Sequence, residues 1–479
     1  MAALLLAGFA IPGTAPAQAV PPPVPVPLPD TPATSAPLLT IGTALRLAIA
    51  RNPELQNTAD SFLSARWNER AVRSTFLPQF TPFFAFEKND ETGRRTDTYG
   101  LLVSEQFLFG TALEAQAVVD RQPETVGEEA YAGDFRLTLR QPLLRGADPA
   151  VTAEPLRLAK RSTSAQSRAV EIARRRTLLL VYQAYLGVAR QQEALELAAD
   201  RVEKARELTT FSRARFSAGS VSRLDVLRAE QQEASTVVAR NDAENALEDF
   251  RDLLRRTAGL VENEAFSIAM PVDLPVEDPD IESALGERMS RRPEAAEARD
   301  QAGDAEFAVR IAKSLELPSV DGFLRYEASG AGRSAGDALH PRNPALVFGL
   351  SSQYGLNNTV LHARRRQAEI DLGVRKRNFD VLADDFAREV RRAYRRLDAL
   401  RRNHEIAEEN ERVAELQAEV ARLRFEKGLS DNFNVVDAEN LLNSARLLEL
   451  DSRVSILLAR LECLYSSGRL DVNPFLNLP

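Results

Sequence analysis

The sequence predicts a mainly α-helical chain with a membrane β-barrel portion, built as two tandem repeats of short helix, strands, long helix and short helix. Three observations predict it. The 479-residue chain aligns with itself over most of its length. Apolar residues recur at helical spacing through two segments of about 65 residues each. Between the helices lie segments of apolar and polar alternation, while beyond the N-terminus no apolar run approaches the roughly 18–20 residues of a transmembrane helix. A mature chain that enters a membrane must then do so as a β-barrel, the other spanning structure that satisfies every backbone group.

The repeat sets the frame. Residues 41–87 align without a gap to 281–327, pairing Ala44-Leu45 with Ala284-Leu285 and RNPE (51–54) with RRPE (291–294). Pro78 pairs with Pro318, Phe83 with Phe323 and Glu87 with Glu327. A second block follows at another offset: Val181, Ala184 and Tyr185 match Val390, Ala393 and Tyr394, RFSAG (215–219) matches RFEKG (424–428), and Gly259 matches Gly468. The change of offset means that the first repeat carries about 31 extra residues, which fall between about 88 and 134.

Taken in order, residues 1–19 read as a signal peptide: an apolar MAALLLAGFA run ends in Ala17-Gln18-Ala19, although no Lys or Arg precedes it. No Cys lies near Ala19 to carry a lipid anchor. Residues 20–37 are a proline-rich extended linker. The first repeat spans 38–260 with helices over about 41–75, 152–216 and 221–254 and strands within about 79–144. An inter-repeat linker covers 261–280. The second repeat spans 281–470, with helices over about 281–315, 359–425 and 430–464 and strands within about 319–354, and 471–479 form a C-terminal tail. Each long helix is nearly as long as the two short ones combined, so two short helices stacked end to end can line it throughout. At 1.5 Å per residue such a rod spans about 100 Å, and its Ala, Ser and Leu at heptad-like spacing suggest coiled-coil packing in a cylinder.

The strand candidates alternate. In Phe135-Arg136-Leu137-Thr138-Leu139-Arg140 every second residue is apolar; Leu346, Phe348 and Leu350 repeat the pattern, and Phe80, Pro82, Phe84 and Phe86 line one face of the earlier strand, matched partly by Leu324 and Tyr326. In a membrane barrel the polar set Arg136, Thr138 and Arg140 points into the lumen, whereas a half-buried soluble sheet predicts the same alternation. Two paired strands per repeat make four per chain, and the smallest membrane barrels close with about eight, so several chains must share one. The extra segment 98–119 is expected as a further hairpin, at the outer rim or packed on the barrel.

Composition excludes other classes. A net charge of −8, a pI near 5.4 and 6% aromatics carry no basic footprint, so no nucleic-acid partner is expected. A single cysteine, Cys463, rules out a disulfide within the chain and reads as a small packed residue. His340, His362 and His404 are scattered and no HExxH occurs; neither a metal, a cofactor nor an enzyme activity is expected. The glycine-rich SGAGRSAG (329–336) lacks the Lys-Ser/Thr ending of a phosphate loop and reads as a surface loop.

Over about 38–470 the chain resembles the TolC-like outer membrane efflux protein family. The residues that carry the resemblance are LTIGTALRLAIARNPEL (39–55), the Leu-Pro before each first strand (Leu77-Pro78, Leu317-Pro318), QPLLRG (141–146), and the paired ends ARFSAGSVSRLDVLRAE (214–230) and LRFEKGLSDNFNVVDAE (423–439). The resemblance implies a homotrimer with a shared 12-stranded barrel among outer membrane lipids and a long periplasmic α-helical barrel. It implies a periplasmic adaptor (membrane fusion) protein and an inner-membrane pump as partners, in a tripartite efflux pump or type I secretion system of a Gram-negative cell. It makes the turns at Gly219, Ser220, Val221 and at Gly428, Leu429, Ser430, Asp431 adaptor-contacting tips. The family's gate carries two acids three apart; the matching tract here is Asn434-Val435-Val436-Asp437, so Asp437 is kept, Asn434 replaces the other, and Asp225 is the first repeat's equivalent of Asn434. Three copies of Asp437 around an axis would draw cations. The rival readings are a soluble periplasmic coiled-coil scaffold, which leaves the alternating strands unexplained, and an adaptor protein, which would show one hairpin and not two matched copies.

Overall fold

The computed structural model describes residues 38–88, 95–123, 129–261, 266–269, 280–340 and 342–471. The expected signal peptide, the proline-rich linker, most of the inter-repeat linker and nearly all of the C-terminal tail lie outside the described residues. The first repeat runs α1 (Ile41–Arg51), α2 (Pro53–Ser74), β1 (Gln79–Lys88), β2 (Arg95–Gln106), β3 (Ala112–Pro123), β4 (Glu129–Pro142), α3 (Pro149–Thr152), α4 (Glu154–Ser217) and α5 (Arg223–Ala258). The second runs α6 (Ile281–Arg291), α7 (Pro293–Leu315), β5 (Ser319–Gly332), α8 (Ala335–Ala338), β6 (Asn343–Gln353), α9 (Thr359–Glu426) and α10 (Asn432–Ser466).

The first short helix of each repeat, expected as one piece, is two. A proline pushes the residue before it out of the helical region, and Asn52 and Arg292 both sit at ψ 121°. Asn52 then caps α2 by accepting from the Leu55 amide at 3.1 Å. RNPE and RRPE are therefore helix-break motifs as well as repeat markers.

With 64 and 68 residues, α4 and α9 are rods of about 100 Å. As expected, α2 and α5 lie along α4, and α7 and α10 along α9. The stacked helices meet end to end at a built junction. Asn52 Nδ2 donates to the Thr257 carbonyl at 3.0 Å, and Gly259, at φ +67°, lies against Arg51. In the second repeat Gly468, at φ +75°, lies against Arg291 and Arg292. Arg292 is 6% exposed. Its guanidinium stacks 3.7 Å from the Phe386 ring and pairs with Glu389 at 2.6 Å and Glu294 at 3.3 Å.

The main core sits partway along the rods, where α1, the middle of α4, and the C-terminal halves of α5 and α10 converge on Leu178, Tyr182, Leu186, Leu254, Leu461 and Leu464. The described part of the inter-repeat segment belongs to this core: Phe266 and Ile268 are buried, Leu39 N donates to Ser267 O at 2.8 Å, and the Tyr185 hydroxyl donates to Ala269 O at 3.1 Å. Cys463 is buried with Ala393, Leu397 and Ala459. Nearer the strands, a ladder of charges joins the repeats. Arg157, Arg161 and Arg168 of α4 face Asp304, Asp300 and Glu297 of α7, with Arg161 Nη1 to Asp300 Oδ2 at 2.6 Å and Arg168 Nε to Glu297 Oε2 at 3.0 Å.

All six strands form one antiparallel sheet in sequence order. This corrects the count of four per chain. The extra residues of the first repeat are the β2–β3 hairpin, and it lies inside the sheet between β1 and β4, neither at a rim nor packed on a face. Ser329–Gly332, expected as loop, extend β5, and the short α8 follows. The pleat sorts the side chains. One face carries Phe80, Phe84, Leu101, Leu137, Leu346 and Phe348, all exposed; the other carries Arg136, Arg140, Asp321, Arg325 and Glu327. On the polar face the repeat-matched Phe83 and Phe323 lie over Gly100 and Gly349 of the neighbouring strands, where an added Cβ would stand 2.2 and 2.8 Å from the ring. No helix among the described residues is long and apolar enough to cross a membrane.

Candidate functional site

The ends of the rods farthest from the sheet are two copies of one turn. α4 ends with the Gly219 amide donating to Phe216 O and the Ser220 amide to Arg215 O, both at 2.9 Å; α9 ends with Gly428 to Phe425 O at 2.9 Å and Leu429 to Arg424 O at 2.8 Å. This double closure needs a left-handed residue, and Gly219 and Gly428 supply it at φ +71° and +75°. The next helices begin at once with matched caps. In α5 the Ser222 side chain accepts from the Asp225 amide at 3.2 Å, and the Asp225 carboxylate accepts from the Ser222 amide at 3.0 Å. In α10 Asp431 is the N-cap, and Asn434 donates to it at 2.8 Å and to Ser430 Oγ at 2.9 Å.

This geometry separates the three gate candidates. Asp225 and Asn434 occupy the same cap position in the two repeats, and both side chains are engaged in holding their own helix ends. Asp437 lies one turn further along α10, exposed, and makes no hydrogen bond or ion pair among the described residues. Of the three candidates it is the one whose side chain is not spent on a cap.

Two contacts that sequence reasoning missed tie the turns together. Arg215 Nη1 donates to Phe425 O at 2.6 Å, and its guanidinium lies 5.4 Å from both the Phe211 and Phe425 ring centroids. Asn432 is fully buried and donates from Nδ2 to Asp225 O at 3.0 Å. Arg215 stood inside the matched RFSAG tract, so its position was visible but its reach across the repeat was not. Around the turns Leu224, Phe433 and Leu429 are 55%, 55% and 75% exposed. Ser220 and Asp431 are exposed, while Val221 and Ser430 are half-buried. The tip thus presents apolar side chains on a framework fixed by hydrogen bonds.

Just behind the tip, α4, α5, α9 and α10 enclose a cleft of about 300 Å³ lined by Arg201, Phe211, Arg422, Phe425 and Glu439. Arg422 pairs with Glu439, and Gln232 Nε2 donates to Asn440 Oδ1 at 3.0 Å. Burial pushes the Arg201 guanidinium below its ordinary value, against the opposing charge of Glu439.

At the other end of the molecule Arg136, Thr138 and Arg140 share the polar face of the sheet. Arg136 lies 3.3 Å from Glu327, and Arg140 Nη2 lies 2.7 Å from Asp321 Oδ2. The paired acids come from the second repeat, so the charges on this face are largely compensated within one chain.

A family model described as "Outer membrane efflux protein" matches residues 44–260 and 284–465. Protein CyaE of Bordetella pertussis is 26% identical over 312 residues, a match spanning 61% of this chain and 62% of that relative's length. Among solved structures, CusC superposes with a TM-score of 0.69 at 15% identity, covering 89% of this chain and 92% of the other. The CmeC outer membrane channel of Campylobacter jejuni gives 0.67 at 15% identity, covering 90% and 85%. The open state of the MtrE outer membrane channel of Neisseria gonorrhoeae gives 0.64 at 15% identity, covering 92% and 94%. At these identities the solved structures establish the fold, and the family match extends over both repeats. With its duplicated rods, end-to-end stacked short helices and single sheet, the chain belongs to the outer membrane efflux protein family.

Proposed function

We propose that this chain is the outer membrane channel component of a tripartite efflux pump or a type I secretion system, working as a homotrimer that passes substrates from the periplasm or an inner-membrane pump to the exterior. Family membership locates it in the outer membrane of a Gram-negative cell, with the helices extending into the periplasm. The observation that carries the reading is the sheet: one face exposes a band of Phe and Leu, the other is charged, and among the described residues both outer strands have an unpaired edge. Such a face suits lipid and such edges suit further copies. A soluble scaffold or adaptor would have no use for either.

The exposed Leu224, Leu429 and Phe433 beside Gly219 and Gly428 form a surface suited to a periplasmic adaptor. Arg136, Thr138 and Arg140 line the barrel lumen, and Asp437 lines the inner entrance, where three copies form a ring of carboxylates. Two measurements test this. The chain should fractionate with the outer membrane as a heat-modifiable trimer that conducts ions in planar bilayers; a soluble monomer overturns the reading. Multivalent cations should block the channel and Asp437→Ala should relieve the block; an unchanged block removes Asp437 from the entrance.

A further inference from the structure

The sheet carries two strands more than a repeat of two paired strands predicts, and their position bears on the width of the passage. A hairpin inserted into a barrel protein can fold away from the wall or become part of it. Here it is part of it. The register row Phe80, Val103, Ala115, Leu137, Tyr326 and Leu346 crosses all six strands on the apolar face without a break. The row beside it, Thr81, Leu102, Gln116, Arg136, Glu327 and Ala345, crosses them on the polar face. At its inner turn the hairpin reaches the foot of the wall: Phe107 N donates to Thr111 O at 2.8 Å, Thr111 Oγ1 bonds to Gln141, and Gly110, at φ +94°, packs under Gly146 O, which a Cβ would meet at 3.1 Å. The exposed strands are the outermost ones, β1 and β6, which have 10 and 11 residues and run in opposite directions.

We propose that β2 and β3 are full wall strands, and that three copies therefore close an up-and-down barrel of eighteen strands, β6 of each copy pairing antiparallel with β1 of the next. This rests on the trimeric channel proposed above. Widths within one chain support it. At about 4.8 Å between strands and a tilt near 40°, six strands cover an arc of about 38 Å and four cover about 25 Å. Below them each chain lays four helices side by side: the α2/α5 stack, α4, the α7/α10 stack and α9. At about 9.5 Å between axes these cover about 38 Å. Six strands therefore continue the helical cylinder at its own radius, about 18 Å, whereas four would narrow it to about 12 Å. The membrane segment then adds no size filter of its own, and the inner end of the rods alone limits the width of the cargo.

Pulsed electron-paramagnetic-resonance distances between copies test the proposal. The label goes at Leu137→Cys, midway up the apolar face, in a Cys463→Ala background. Three-fold related backbone positions lie about 31 Å apart in an eighteen-stranded wall and about 21 Å apart in a twelve-stranded one. The full chain should give the longer spacing, and a chain with residues 95–123 excised, in which β1 turns directly into the antiparallel β4, should shorten it by about a third. If the excised chain does not fold, the absolute spacing in the full chain decides. A trimer with the short spacing overturns the eighteen-stranded wall and leaves the channel reading standing; a chain with no coupling between copies overturns both.

Discussion

Among the described residues four left-handed glycines close helices, and alanine at each should have a different cost according to what its methyl group meets. Gly219, at φ +71°, has nothing within 4 Å of an added Cβ. Gly219→Ala therefore costs only the left-handed backbone of an L-residue, about 1–2 kcal/mol. Gly259, at nearly the same φ of +67°, would place its Cβ 2.8 Å from Arg51 Cβ and 3.2 Å from Arg51 C. These atoms belong to the backbone and the root of a side chain at the α1–α2 break, so they cannot swing away. Overpacking of this kind adds about 1–3 kcal/mol, giving about 2–5 kcal/mol in all. Gly468, facing Arg291 C at 3.1 Å, should behave like Gly259, and Gly428, facing only Arg215 Nη2 at 3.0 Å, like Gly219. The assay is guanidinium unfolding of the purified protein followed by helical circular dichroism, with the four variants side by side. Two weak and two strong effects are expected. Equal effects at Gly219 and Gly259 would refute the reasoning, because they would show that the end-to-end contact of α5 with the α1–α2 break carries no steric load.

Arg292→Met should destabilise the chain by about 2–3 kcal/mol, below the 3–5 kcal/mol of a fully buried broken pair, because Glu389 is 40% exposed; Glu389→Gln should recover part of the loss in a double-mutant cycle. At Glu297 burial raises the carboxyl pKa, but hydrogen bonds from Arg168 and Gln301 and the charges of Arg168 and Arg161 outweigh it and hold it below its ordinary value. A depressed acid contributes stability that is present above its unfolded pKa, about 4.3, and is lost as pH falls through the lower folded value. Glu297→Gln should thus lower stability at neutral pH and flatten its decline below about pH 4 in acid-unfolding curves; a parallel decline in both proteins would remove Glu297 from the ladder between α4 and α7.

Much of the fold was legible because its signals are local and written twice. Each long helix carries its own periodicity, and each tip turn its glycine, Gly219 or Gly428. The break at Pro53 and Pro293 was equally local, yet it was hidden behind the stronger signal that RNPE and RRPE mark the repeat. The hairpin was legible as an insertion but not as part of the sheet. On its apolar face β3 offers Leu113, Ala115, Ala117 and Val119, too small and mild to announce an apolar strand face, and they join the apolar band only through the register with Phe80 and Leu137. At the candidate entrance, Asp225, Asn434 and Asp437 stand as three polar residues in matched tracts; only their hydrogen bonds separate the two that cap helices from the one that is free.

The sequence by itself determined the duplicated design, the rod lengths, the turn positions and the two-faced strands, because periodicity, glycine and proline act over a few residues and need no distant partner. Only the tertiary structure decided how many strands stand in one sheet, which acid at the tip is spent on a cap, and which groups lock one repeat to the other. Those outcomes depend on pairs such as Arg215 with Phe425, Arg161 with Asp300 and Arg136 with Glu327, which lie far apart along the chain. Nothing in either local stretch specifies its partner, since cross-repeat contacts of this kind form only where helix packing and strand register bring the two segments together.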